Sequence, residues 1–111
     1  MTPRLLLEPA AESEFLEAVA WYAERNPSLG TAFRASVDTT LATIEEAPHR
    51  FPIALRDIRK ARVPRFPYVV YYVPLPDIIV VIGMIHGRRD PRRWGTAAPV
   101  PTECQIGRAH V

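Results

Sequence analysis

The spacing of apolar residues changes period along this chain, and each change marks a new kind of element. Arg4 to Glu8 carries a short leucine run and reads as an opening strand. From Ala10 to Arg25, the residues Ala11, Phe15, Ala18, Val19 and Tyr22 recur at helical intervals and form one apolar stripe. Glu12, Glu14, Glu17 and Glu24 fall mostly off that stripe, and Pro9 suits a first helical turn. Asn26-Pro27-Ser28-Leu29-Gly30 reads as a connector, because proline disfavours α geometry in the residue before it. Phe33, Val37, Leu41 and Ile44 repeat the helical spacing over Thr31 to Glu46, and Pro48 marks the end. Two amphipathic helices with a short joint predict an αα-hairpin. Trp21-Tyr22 is expected to pack that hairpin on the rest of the fold.

Past Phe51 to Asp57, which reads as a loop, the period falls to two. Ile58 to Val63 places Lys60 and Arg62 on one face and Ala61 and Val63 on the other. Tyr68 to Val73 is apolar or aromatic on both faces, Leu75-Pro76-Asp77 is a turn, and Ile78 to Ile85 is Ile/Val-rich throughout. A strand apolar on both faces belongs inside a sheet, not at its edge. The predicted order is β-α-α-β-β-β, an α+β fold with a helical hairpin on one face of a small, mostly antiparallel sheet. Tyr68, Tyr71 and Tyr72 are expected in the core and against the helices.

At 111 residues the chain supports one domain, assigned to residues 1–96. The tail, 97–111, has prolines and no periodicity and is predicted disordered. Residues 106–111 can be encoded by ATC GGA AGA GCA CAC GTC, which matches a common sequencing adapter. Residues 105–111 are therefore expected to be an artefact of the gene fragment. The longest apolar region is interrupted by Pro74, Pro76 and Asp77, so no membrane helix is expected. The lone Cys104 and the lack of a signal-like segment point to the cytoplasm.

Charge is divided unevenly. Residues 1–48 hold three basic and eight acidic side chains, a net of −5, whereas residues 49–93 hold ten basic and three acidic, a net of +7. Such a division predicts an anionic partner for the second half, either nucleic acid or an acidic protein segment. The densest part is His86-Gly87-Arg88-Arg89-Asp90-Pro91-Arg92-Arg93-Trp94. Clustered guanidinium groups at the exit of a strand suit phosphate or carboxylate. His49, His86 and His110 lie far apart and lack ligand spacing, so neither metal nor cofactor is expected.

Several stretches together resemble one family. They are Ala11…Glu14…Ala18…Trp21-Tyr22, Phe33…Val37…Leu41…Ile44…Pro48, Arg65-Phe66-Pro67-Tyr68-Val69-Val70-Tyr71-Tyr72 and the His86 to Trp94 run. The pattern is similar to the RelE/ParE superfamily of type II toxin–antitoxin toxins, nearest its ParE-like, plasmid-stabilisation branch. The resemblance implies a small sheet-and-hairpin fold and neutralisation by a cognate antitoxin. It also implies one of two modes of action: binding and poisoning of DNA gyrase, or ribosome-dependent cleavage of messenger RNA. A degenerate toxin acting only as an antitoxin-binding partner is a third reading.

For the nuclease, the family implies that Lys60, Arg62 and Arg65 line a basic face with Arg88 or Arg89, with His86 as general acid or base. Nucleases of this kind commonly end in a tyrosine or comparable residue, where this chain has Trp94. Only one lysine, Lys60, stands where a lysine-rich surface would be. The first expectation is therefore a gyrase-binding toxin. Its partner-contact candidates are Lys60, Arg62, Arg65, Arg88, Arg89, Arg92, Arg93 and Trp94, with His86, Arg88 and Arg62 as the catalytic candidates.

Overall fold

The computed structural model describes residues 4–87. Arg88, Arg89, Arg92, Arg93, Trp94 and the tail lie outside the described residues. In chain order the elements are β1 (Arg4–Leu7), α1 (Pro9–Arg25), α2 (Pro27–Glu46), β2 (Ile53–Leu55), β3 (Ile58–Arg62), β4 (Tyr68–Pro74) and β5 (Ile78–His86). The sheet order is β1-β5-β4-β3-β2. β1 runs parallel to β5, and every other pairing is antiparallel. This is the expected α+β fold, with β5 inside the sheet as its two apolar faces require.

Two boundaries differ from the sequence reading. The connector at Asn26 to Gly30 shrinks to a single residue. Asn26 caps the new helix, its Oδ1 accepting from the Ser28 backbone N–H at 3.0 Å and from Ser28 Oγ at 2.7 Å. Pro27 does end α1, but it also occupies the first turn of α2, where its lack of an N–H costs nothing. The loop read at Phe51 to Asp57 contains β2, paired with β3 through the Arg56-Asp57 turn. Three residues are too few to show alternation, and no glycine or asparagine marks that turn.

The hairpin packs on one face of the sheet around Phe33. Its ring lies 5.1 Å from Phe66, 5.1 Å from Tyr68 and 5.2 Å from Tyr22. Ala11, Phe15, Ala18, Val37 and Ile44 complete the helical side, meeting Val70, Tyr72, Ile79, Val81 and Met84 from the sheet. At the hairpin's closed end the helices nearly touch: a Cβ built on Gly30 would sit 2.8 Å from the Ala23 Cβ. Tyr22 joins this core as expected, whereas Trp21 is 50% exposed and stacks against the Arg25 guanidinium at 3.4 Å.

A second apolar cluster, Ile58, Val69, Tyr71 and Ile85, lies on the face turned away from the hairpin. Strand alternation divides the two clusters, and a bulge in β5 shifts that alternation by one residue. Tyr71 pairs with Gly83 but Tyr72 pairs with Val81, so Ile82 is an extra residue. Val81 and Met84 therefore both face the hairpin while Ile82 and Ile85 face the other way.

Candidate partner-binding face

β3 brings Lys60 and Arg62 to the face opposite the hairpin. Lys60 pairs with Tyr71 and Arg62 with Val69, and directly opposed residues of an antiparallel pair share a face. Both partners belong to the second apolar cluster, while Lys60 and Arg62 themselves are exposed. At two residues' separation along a strand, their Cα atoms lie about 7 Å apart. Alternation accounts for the rest of β3: Ala61 is buried against the hairpin side, as expected.

His86 is on the other face. It pairs with Tyr68, which packs against the hairpin core, and their rings meet edge to face at 5.6 Å. The sheet thus separates His86 from Lys60 and Arg62. Among the described residues, the imidazole proposed for proton transfer does not share a surface with Lys60 and Arg62, two of the cations proposed to stabilise a phosphodiester transition state.

Arg65 sits in neither strand. It is the third residue of a turn, Val63-Pro64-Arg65-Phe66, closed by the Phe66 N–H donating to the Val63 carbonyl at 3.4 Å. Its φ is +73°, the left-handed value that a type II turn requires there and that glycine supplies without strain. Arg56 has φ +54° in the turn between β2 and β3. Two arginines hold backbone conformations unfavourable to side chains, one at each end of β3. Such strain persists where something else retains the residue.

Nothing in the sequence singles out Arg59, which the fold ties to the segment after α2. Its Nη1 donates to the Phe51 carbonyl at 2.6 Å and the His49 carbonyl at 3.2 Å. Beside it, the Tyr72 hydroxyl donates to the Pro48 carbonyl at 2.7 Å. Burial pushes the Tyr72 phenol up to about 12, against the opposing pull of the Arg59 and Arg50 charges. Tyr22 is raised as well, mainly by burial and then by the proximity of Tyr68. Among the described residues no group of three or more His, Cys, Asp or Glu side chains could hold a metal ion. No described helix is long and apolar enough to cross a membrane.

This combination of hairpin, five-stranded sheet and basic β3 agrees with a match over residues 5–91 to the model of the "ParE toxin of type II toxin-antitoxin system, parDE". The chain belongs to the ParE toxin family. It is a RelE/ParE superfamily toxin, as its motifs suggested. Among solved structures, the ParE-family chain is similar to one from the "Chromosomal ParDE TA system from P. aeruginosa". That likeness has a TM-score of 0.68 at 10% identity and covers 77% of this chain and 96% of the other, so it is a likeness of fold. No curated protein matches the chain. The family match spans both β3 and His86, so the opposed faces lie inside the shared domain.

Proposed function

We propose that this ParE-family protein acts by binding DNA gyrase and that a cognate antitoxin keeps it silent. The observation that carries the reading is the separation of His86 from Lys60 and Arg62 by the sheet. Cleavage of a phosphodiester without metal needs proton transfer and charge stabilisation at one reacting centre, within hydrogen-bond reach. A binding surface has no such requirement. Exposed Lys60 and Arg62, on a face without a described helix, suit contact with an acidic protein surface.

The test is induced expression without antitoxin, with DNA integrity and protein synthesis followed together. Gyrase poisoning yields DNA breaks and filamentous cells while translation continues. Arrested translation with cleaved messages would replace this reading with the nuclease, and unimpaired growth would indicate a degenerate toxin.

A further inference from the structure

The end of the sheet farthest from β1 holds a small cavity of about 180 Å³, lined in part by His49, Ile53, Arg56, Asp57, Arg59 and Leu75. Three features make it more than a surface irregularity. Arg59 is held by two backbone carbonyls, at 2.6 and 3.2 Å, so its guanidinium enters the cavity wall already oriented. A pre-oriented fork loses less freedom on binding a carboxylate than a mobile side chain does. Arg56 lines the same cavity from a backbone φ of +54°, where glycine would fit without strain. Finally, Ile53 and Leu75 line it too while remaining 58% and 45% exposed.

We propose that this cavity is a docking subsite for an acidic peptide segment of a protein partner, seating one carboxylate between Arg56 and Arg59 and a neighbouring apolar side chain on Ile53 and Leu75. Asp57 decides between a peptide and a free anion. Its carboxylate offsets part of the positive charge, so a small ion gains little, and the apolar contacts must supply the remainder. The same two features disfavour nucleic acid, whose backbone offers phosphates to Asp57 and little to Ile53 or Leu75. The proposal rests on the reading that this protein works by binding other proteins. It does not depend on which protein is the target.

The experiment follows the methyl resonances of Ile53 and Leu75 in the full chain by NMR. The probes are a blocked hexapeptide alternating Leu and Glu, its Gln counterpart, inorganic phosphate and hexauridylate. The acidic peptide is expected to shift both methyls saturably and to bind at least tenfold more tightly than the Gln peptide. Arg56→Gly, which suits the backbone, lowers that affinity about fivefold without loss of fold. Asp57→Asn raises it severalfold, an effect that a merely structural role for the turn does not produce. Equal affinity for both peptides, shifts centred on other residues, or tighter binding of phosphate or hexauridylate overturns the proposal. Because toxicity is read separately in cells, a failed titration leaves the gyrase reading standing, and absent toxicity leaves the titration meaningful.

Discussion

Glu14 of α1 accepts a hydrogen bond from the backbone N–H of Met84 at 2.8 Å, across 70 residues of sequence. The pairing register explains why this bond exists. β1 accompanies β5 only as far as Val81, whose carbonyl takes the Glu8 N–H, and the chain then turns into α1. Gly87 donates to Pro67 on the β4 side, so the alternate residue Met84 turns its N–H to the side that β1 has left. The carboxylate of Glu14 stands in for the missing strand.

Glu14→Ala is therefore expected to destabilise the fold by about 1–3 kcal/mol, the cost of a buried donor left unpaired. Glu14→Gln, which keeps an acceptor oxygen, is expected to lose less. Urea unfolding of the three proteins measures the difference, and equal losses for Ala and Gln contradict the assignment.

Gly30→Ala reverses the usual sign of a helical substitution. Alanine in a helix interior normally gains about 0.5–1 kcal/mol over glycine. Here the added Cβ would lie 2.8 Å from the Ala23 Cβ and force the helices apart. Overpacking of this kind costs about 1–3 kcal/mol, so the melting temperature is expected to fall.

Arg65→Gly relieves a left-handed arginine and is expected to stabilise the isolated protein by about 1 kcal/mol. If the strain is retained for contact with a partner, the same variant is more stable and less toxic. Thermal unfolding and growth arrest, measured on one variant, separate these two effects.

The Tyr72 phenol has its folded value raised to about 12 from 10, so its neutral form is the one the fold favours. Its contribution is fully present below pH 10 and is lost as pH rises through about 12. Tyr72→Phe is expected to lower stability at neutral pH by leaving the Pro48 carbonyl without its donor. It should also flatten the alkaline decline between these values, with the part due to Tyr22 remaining. Stability measured by urea unfolding from pH 8 to 12 checks both.

Much of the fold was legible because its elements have strong periods. Ala11, Phe15 and Ala18 on α1, and Phe33, Val37 and Ile44 on α2, are buried as their spacing requires. The outward position of Lys60 and Arg62 follows from simple alternation with Ala61. What escaped depends on contacts that periodicity does not encode. The bulge at Ile82 changes which face every later β5 residue takes, and so sends His86 to the hairpin side. Tyr71, expected against the helices, is buried on the face turned away from the hairpin, where alternation with Tyr72 puts it. Arg56 and Arg65 carry no turn signature, since their conformations are ones arginine seldom adopts.

On the proposed reading, toxicity comes from binding through the β3 face and not from chemistry at His86. The most direct test of that reading uses purified gyrase, plasmid DNA and the purified toxin, with translating ribosomes assayed in parallel. The native protein and His86→Gln are both expected to inhibit supercoiling, Lys60→Glu/Arg62→Glu is not, and ribosome-bound message is expected to stay intact. Cleavage of that message by the native protein, abolished by His86→Gln while gyrase remains unaffected, would contradict the reading.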